Sequence, residues 1–467
     1  MNCFRVITFA VAAIGVLSAG AAPGEEKSPD SKSDTSAIEK IVPMGPLIPR
    51  SSIPGERRED NVHPHGASAC QLSADRWILV YYTRGYRAVD EERSVLYQIR
   101  ADAPDGRLLK EARLAYWNQY DGPNLIKAHG HATVWGVPKG AIEPPSSVDP
   151  ATSGKTLNVG KPLPHANLFC AKWYTHQIRI TPGNIRGDTK DGAVEWVQFR
   201  LNDAEDDIEI VQPIARVECG HTPLAGPVRL NSAGTEWADI CYAKPGLRAV
   251  KYAFDAATGR YRLSDYGPAV GAEIDAAEGS LAFAGNILGG DREKSPQEWL
   301  LAARVFRPGG VALMRSQDPF KSVAEPKRVA PEIGSLQKSI FRCADGKVRL
   351  FTGVDSRSIL YCWEVDPTAL TLSNQRLVWD SQKLDAPFDD ACGRVIDTYC
   401  LFPHAGGREQ YIGYGFRPKA LDYPYQKTSS GKPILVGDQE KDAAGVYYAK
   451  IVYREPVPGA WTFLKDR

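Results

Sequence analysis

Several features that would define common protein classes are missing from this 467-residue sequence. Lys plus Arg number 57 and Asp plus Glu number 56, so there is no excess positive charge to predict nucleic-acid binding or a polybasic membrane contact. No apolar run reaches the roughly 20 residues that a membrane-spanning helix needs. The G-x-S-x-G elbow, the phosphate-binding glycine loop and the dinucleotide fingerprint are all absent. The sequence therefore lacks the usual signatures of serine hydrolases and nucleotide-binding enzymes.

Helix signals are also nearly absent, and strand signals take their place. Runs such as RWILVYYTRG, SILYCWEV and GVYYAKIVY are rich in β-branched and aromatic residues and are bounded by turn formers. The chain holds 42 Gly and 34 Pro against 3 Met, which is typical of short strands joined by many turns. The sequence therefore predicts an all-β protein.

The strands recur in units of about 50 to 70 residues, a period typical of propellers and similar arrays. One strand opening repeats as HGAS, HATV, HTPL, GSLA, GSLQ and GRVI, at 65, 131, 221, 279, 334 and 393. We predict a β-propeller of six or seven four-stranded blades, in which residues 38–48 pair with the last strands and close the ring. A pair of stacked sheets is the alternative fold.

The first 22 residues have the pattern of an export signal. Arg5 precedes an apolar stretch of about a dozen residues, and small residues follow at 19–22. We expect a signal peptide at 1–22, a flexible polar leader at 23–38 and a single propeller domain at 39–467, in a secreted or periplasmic protein. Eight cysteines then remain, without a CxxC pair, and we expect at most one or two disulfides, the others being buried thiols.

Three of the eight histidines, His65, His131 and His221, open the first strand of units 1 to 3, where units 4 to 6 have Gly. The first strand of a blade lines the central channel, so these imidazoles are expected at one mouth of it. His63 and His129 lie two residues earlier, which makes two H-x-H pairs.

The second strand of each blade runs antiparallel and ends at the same rim. Those ends carry Arg84, Arg87, Tyr174, His176, Lys244, Arg248, Arg304, Arg307 and Arg417. Guanidinium groups match carboxylate or sulfate, so the mouth is predicted to bind an anionic ligand. Nearby aromatic residues are expected to stack on sugar faces: Tyr86, Trp117, Tyr120, Trp135 and Trp173.

Other interpretations of the same residues stay open. A histidine at a strand start is often only a hydrogen-bonding residue, and rim cations are often only solvated. The H-x-H pairs and Cys219-x-His221 have the ligand types of zinc. A glycosidase needs two carboxylates across a sugar ring, and the candidates are Asp121, Glu278, Asp389 and Asp390, none of them at a matched repeat position. The aromatic residue that opens the second strand, as at Trp77 and Trp237, is assigned to packing.

The unit RWILVYYTRGYRAVDEERSVLYQIRADAPDG resembles a blade of the sialidase-like propellers with bacterial neuraminidase repeats. The fragments SADRW (73–77) and SQDPF (316–320) match the Asp-box of that family in part. In the character of its mouth, the chain is also similar to propeller polysaccharide lyases of the ulvan and rhamnose–glucuronate type.

The second resemblance implies β-elimination on a uronate-containing polysaccharide. By residue type it implies His and Tyr as proton-transfer groups and Arg or His as groups that neutralise the uronate. At the predicted mouth we assign His131 as the base, His221 or His65 as the group that orients or neutralises, and Tyr174 as the proton donor. The substrate-binding candidates are Arg84, Arg87, Lys244, Arg248, His129 and His176. No cofactor is required by this chemistry, although some members hold an ion, so zinc or calcium stays an alternative. A sialidase-like exo-glycosidase and a non-catalytic glycan-binding propeller are the competing functions, and we expect a monomer whose partner is an acidic polysaccharide or oligosaccharide.

Overall fold

The computed structural model describes the chain from residue 37 onward in segments. These are 37–50, 62–85, 92–116, 125–143, 161–179, 193–217, 226–242, 246–284, 298–305, 309–330, 333, 337–354, 357–384, 393–419 and 442–463. Within them the strands form six four-stranded antiparallel sheets and one small two-stranded sheet. The protein is a six-bladed β-propeller, as the repeats predicted.

The strands of the first half alternate regularly along the chain. They are β1 (Ile38–Pro49), β2 (Val62–Ser73), β3 (Arg76–Gly85), β4 (Glu92–Ala101), β5 (Leu108–Tyr116), β6 (Leu125–Val137), β7 (Ala141–Ile142), β8 (Leu168–Arg179), β9 (Ala193–Leu201), β10 (Ile208–Val217), β11 (Val228–Arg229), β12 (Glu236–Tyr242), β13 (Leu247–Asp255) and β14 (Arg260–Tyr266). Blade 1 is β2 to β5, blade 2 is β6 with β8 to β10, and blade 3 is β11 to β14.

The second half follows the same plan. Its strands are β15 (Ala276–Phe283), β16 (Trp299–Val305), β17 (Val311–Ser316), β18 (Lys327–Val329), β19 (Lys338–Arg342), β20 (Val348–Val354), β21 (Ile359–Asp366), β22 (Thr371–Asp380), β23 (Arg394–Leu401), β24 (Gly407–Pro418), β25 (Gly445–Val457) and β26 (Thr462–Phe463). Blade 4 is β15 to β18, blade 5 is β19 to β22, and blade 6 is β23 to β25 with β1. The named helical elements of the described residues are two 3-10 turns, Ala272–Ile274 and Ser381–Lys383.

The ring is closed by strands from the two ends of the domain. β1 pairs antiparallel with β25, with Val42 opposite Lys450, so the predicted pairing of residues 38–48 is confirmed. This arrangement joins distant parts of the chain in one sheet. The ring therefore cannot open at this blade without breaking a full strand pair.

Large aromatic side chains fill the space between neighbouring blades. Trp77, Trp237 and Trp299 open the second strands and are buried, which confirms their assignment to packing. Trp135 and Trp173 are buried as well, so the expectation that they stack on sugars is wrong, because their rings lie inside the hydrophobic clusters between sheets. Tyr86, Trp117 and Tyr120 lie outside the described residues.

The described cysteines are all free and buried: Cys70, Cys170, Cys241, Cys343, Cys362 and Cys400. Burial raises the pKa of the Cys70 thiol to about 12, so these thiols behave as small hydrophobic side chains. Cys219 and Cys392 lie outside the described residues, as do the expected signal peptide and almost all of the leader. The part of the chain that is described holds no helix with the length and hydropathy to cross a membrane.

Candidate functional site at the channel mouth

A β-bulge occurs at the same place on the innermost strand of four blades. The bulged residues are Gly66, His131, Glu278 and Thr398, with φ of 61°, 51°, 47° and 55°. A positive φ suits glycine and is costly for other residues. His131 and Glu278 therefore hold a strained backbone, and bulges of this kind aim side chains at functional sites.

Hydrogen bonds between blades fix the structural alignment. Ser68 Oγ accepts a bond of 3.2 Å from the Val134 amide of the next blade, and Ser280 Oγ accepts one of 2.7 Å from the Ile340 amide. Each serine lies two residues after its bulge. This alignment pairs Glu278 with His131.

The predicted equivalence of His65 and His131 is therefore wrong by one residue. His65 precedes the bulge of blade 1, as Asp397 precedes the bulge of blade 6, whereas His131 is itself the bulged residue. A bulge adds one residue to a strand and so shifts the alignment of the repeats by one, and the hydrophobic pattern of the sequence does not reveal it. For the same reason Glu278 has a matched repeat position after all.

The second strands return to this rim, as expected. Tyr82 lies opposite His65, Tyr174 opposite Gly130, and Arg304 opposite Ala277. In blade 6 the corresponding residue is Gly415, opposite Asp397. A Cβ atom at Gly415 would lie 2.8 Å from His65 Nδ1, so this glycine leaves the space that the imidazole of blade 1 occupies.

A continuous row of rings crosses the rim from blade 1 to blade 2. The ring centroids are 5.8 Å apart for His63 and His65, 5.3 Å for His65 and Tyr82, 5.7 Å for Tyr82 and His131, and 4.9 Å for His131 and Tyr174. His63 and His65 are buried, while His131 is half-buried. The last pair is stacked, so it places an imidazole and a phenol side by side at the channel mouth.

Asp397 is the centre of a buried charge cluster at the junction of blades 6 and 1. Its Oδ1 lies 3.0 Å from His65 Nε2 and 2.9 Å from Arg417 Nη1, and its Oδ2 lies 3.5 Å from Arg357 Nη1. Burial alone would raise the pKa of this carboxyl, but Arg417 and His65 hold it well below its ordinary value. Asp397 is therefore a carboxylate that orients His65 and neutralises Arg417.

A second ion pair lies on blade 4. Arg304 Nη1 donates to both carboxylate oxygens of Glu278, each at 2.8 Å. The Glu278 amide donates to the Tyr242 hydroxyl of blade 3 at 3.1 Å. These contacts form a polar wall on the rims of blades 3 and 4.

Lys338 of blade 5 completes this wall and was missed by the sequence analysis. Its side chain is buried and Nζ donates to Thr352 Oγ1 at 3.0 Å. Burial, together with the positive charges of Arg304 and Arg357, lowers its pKa to about 7. No local pattern marks this residue, because the charges that act on it come from three different strands or turns.

Replacing Lys338 by methionine is expected to stabilise the protein at neutral and lower pH. Below pH 7 the ammonium is charged in both states and the fold bears the cost of burying it. Between about 7 and the ordinary lysine pKa of 10.5 the unfolded chain holds a proton that the folded chain lacks, so wild-type stability rises with pH. The gain from Lys338→Met, on the order of a few kcal/mol at pH 6, should shrink toward pH 10.

Thermal unfolding between pH 6 and 10 measures this effect. The control is Lys321→Met, since Lys321 is exposed and should show no such slope. A gain from Lys338→Met that does not change with pH would contradict a buried titrating amine.

The structure also places the other predicted site residues. Arg248 lies against Tyr266 on the outermost strand of blade 3, with the guanidinium carbon 5.9 Å from the ring centre, and so is not among the mouth contacts described above. The side chains of Arg84, His129 and His176 and the whole of Arg87, His221, Lys244 and Arg307 lie outside the described residues, as do Asp121, Asp389, Asp390 and Cys219. Among the residues that are described, no group of three His, Cys, Asp or Glu side chains is arranged to hold a metal ion.

No family model and no curated protein matches the sequence. Several solved structures are similar to this chain at low sequence identity. A protein of unknown function from Dyadobacter fermentans is 10% identical with a TM-score of 0.49, over 89% of this chain and 99% of that one. Trypanosoma rangeli sialidase in complex with 2,3-difluorosialic acid is 9% identical with a TM-score of 0.49, over 88% of this chain and 58% of the sialidase. A family 117 glycoside hydrolase from Zobellia galactanivorans is 10% identical with a TM-score of 0.36, over 88% and 90% of the two chains. The assignment of this chain as a six-bladed propeller rests on its own strand pairing.

Proposed function

We propose that the protein is an exported carbohydrate-active enzyme that cleaves a uronate-containing polysaccharide by β-elimination at this mouth. The observation that carries the proposal is the contact between His131 and Tyr174, 4.9 Å between ring centres, beside a wall of cations. An imidazole and a phenol in contact are the two groups that such a reaction needs, one to take a proton and one to give one.

The charge of the mouth supports an acidic ligand. Its described residues include four cationic side chains, Arg304, Lys338, Arg357 and Arg417, and two carboxylates, Glu278 and Asp397. Among these six groups the cationic side chains outnumber the carboxylates by four to two. A uronate carboxylate matches that positive excess.

The proposed steps balance as an elimination. Neutral His131 removes the proton from C5 of the uronate, and the electron pair forms the C4–C5 double bond as the bond from C4 to the glycosidic oxygen breaks. Tyr174 donates its proton to that oxygen. Arg304 and Lys338 stabilise the negative charge that develops on the carboxylate side of the enolate.

His65 has a supporting role in this scheme. Its Nε2 faces Asp397 at 3.0 Å, and its ring is buried between Tyr82 and Arg417. His65 therefore supports the neighbouring side chains of the rim through its hydrogen bonds. Of the described histidines in the row of rings, His131, which is half-buried, is the one accessible to substrate. The contributions expected of His221, Lys244 and Arg84 stay predictions.

A hydrolase of the sialidase-like exo-acting type is the second candidate. It is favoured by Glu278 and Asp397, two carboxylates on channel-lining strands at the same rim, since glycosidases use a pair of carboxyl groups. Both form ion pairs with arginine in this structure, so each would have to give up that contact to act on a sugar.

One screen separates these functions. Purified protein is incubated with acidic polysaccharides, and the ultraviolet absorbance of unsaturated uronate is recorded along with new reducing ends. A lyase raises both signals together. Reducing ends without the absorbance would establish a hydrolase and overturn the elimination, and binding without either signal would establish a non-catalytic glycan-binding propeller.

A further inference from the structure

A second cavity lies deeper in the channel, beyond the mouth. It has a volume of about 270 Å³ and is lined by the innermost strands of all six blades and by the segment Pro458–Trp461. Ser68, three residues along β2 from His65, is part of its wall. None of the described residues that line it is Asp or Glu.

The segment Pro458–Trp461 crosses this end of the channel and is held on both sides. The Ala460 amide donates to the His404 carbonyl, and β26, which follows, pairs with β7 beside blade 2. Trp461 also packs against Trp237, with ring centres 6.4 Å apart. The cavity floor is therefore a fixed part of the fold.

Two guanidinium groups line this cavity without a carboxylate bound to either of them in the described part of the chain. Arg229 stacks on Trp461 at 4.0 Å and donates through Nη2 to the Ala460 carbonyl at 2.8 Å. Arg342 donates to the Phe283 carbonyl at 3.3 Å. Burial lowers the pKa of both, that of Arg229 to about 10.

The acidic residue whose charge acts on Arg342 already forms an ion pair with another arginine. Asp345 raises the pKa of Arg342 in part, but both of its oxygens accept hydrogen bonds from Arg349, at 2.7 and 2.6 Å. The cavity therefore carries two partly buried positive charges to which no carboxylate of the described residues is bound. Buried charges in this situation are costly unless a counter-ion accompanies them.

His404 supplies an independent observation. Its side chain is 4% exposed and lines the same cavity. Nδ1 lies 3.1 Å from the Gly406 amide, which can donate to it, and 3.2 Å from the Pro458 carbonyl, which can accept from it; these contacts are compatible with a proton on either ring nitrogen. Nε2 is buried and has no hydrogen-bond partner among the described residues, so it is a polar atom of the lining that a ligand could satisfy.

We infer that this cavity is a binding site for a small oxyanion. Arg229 and Arg342 supply the charge, and His404 Nε2 supplies a further donor when it carries a proton. The space is ample for a phosphate-sized ion with several waters, and guanidinium forks match oxyanion geometry. The anion is either a free inorganic ion or the carboxylate of a single sugar acid that has passed the mouth.

Titration calorimetry tests this site directly. Phosphate, sulfate and glucuronate are titrated separately into the full protein at an ionic strength held constant with chloride. Saturable binding of phosphate or sulfate identifies a site for a free ion, and binding of glucuronate alone identifies a site for a sugar acid. Arg229→Gln is expected to weaken either one roughly 10- to 100-fold.

Two controls locate the anion. Arg262→Gln changes an exposed cation of the same blade and should leave the dissociation constant unchanged, and for phosphate and sulfate so should Arg304→Gln at the mouth. Because the mouth is itself proposed to bind a uronate, glucuronate is titrated in the Arg304→Gln background, where the cavity is tested apart from the mouth. Because Arg229 also holds Trp461, Arg342→Gln and His404→Gln repeat the test without touching that contact. The inference is overturned if the wild type binds none of the three anions, or if binding survives in the Arg229 and Arg342 variants and is lost in the Arg304 variant.

Discussion

His131→Ala is expected to lower turnover of the acidic glycan by about 10²- to 10⁴-fold, the usual contribution of a general acid–base group. The loss should fall on kcat more than on KM, because His131 acts in the proton-transfer step, whereas the cations bind the substrate. The melting temperature should change little, since the imidazole is half-buried. Initial rates from product absorbance and a thermal melt measure the two effects.

Two further variants separate chemistry from backbone effects. His131→Gly removes the same imidazole and relieves the strain of φ 51°, so it should be as inactive as the alanine variant but no less stable. Tyr174→Phe removes one hydroxyl group from the stacked pair, and Tyr266→Phe removes one from an exposed ring on an outer strand. If Tyr174→Phe and Tyr266→Phe retain equal activity, Tyr174 is not the proton donor.

Asp397→Ala is expected to cost about 3 to 5 kcal/mol of unfolding free energy. The change leaves Arg417, which is 1% exposed, without its carboxylate and deprives His65 of its Nε2 partner. An unpaired buried charge is far more damaging than a lost surface pair. Urea denaturation at neutral pH measures the loss.

The control for this prediction lies in the same blade. Glu409 pairs with Lys450 at 3.1 Å with its side chain about half exposed, and Glu409→Ala should cost about 0 to 1 kcal/mol. Because the folded pKa of Asp397 is depressed, its stabilisation is present above the ordinary carboxyl range and is lost as pH falls through the folded value. Equal losses in the two variants would show that the buried cluster contributes no more than a surface ion pair.

Much of this fold was predictable because it depends on local pattern. Each blade is a run of short β-branched and aromatic strands between turns, and each second strand opens with a packing residue such as Trp77 or Trp299. These features recur along the chain, so the repeat can be recognised from the sequence alone. The pairing of residues 38–48 with the last strands was predictable too, since a propeller needs its ring closed.

The composition of the mouth was only partly predictable, because it depends on register. The returning strand ends identified Tyr174, Arg304 and Arg417 correctly as rim residues, since antiparallel pairing follows from chain order alone. A bulge adds one residue without changing the hydrophobic pattern, so only the folded sheets show that His131 corresponds to Glu278, and His65 to Asp397.

By itself, the sequence determined the all-β class, the repeat and the closure of the ring, because these follow from which side chains alternate and where turns interrupt them. Only the tertiary structure decided which charges meet. Asp397 contacts His65 across the junction of the last and first blades, and burial together with Arg304 and Arg357 lowers the pKa of Lys338. Contacts of this kind join residues that are far apart along the chain, and their energy comes from burial and mutual distance, which exist only once the six blades are packed around one channel.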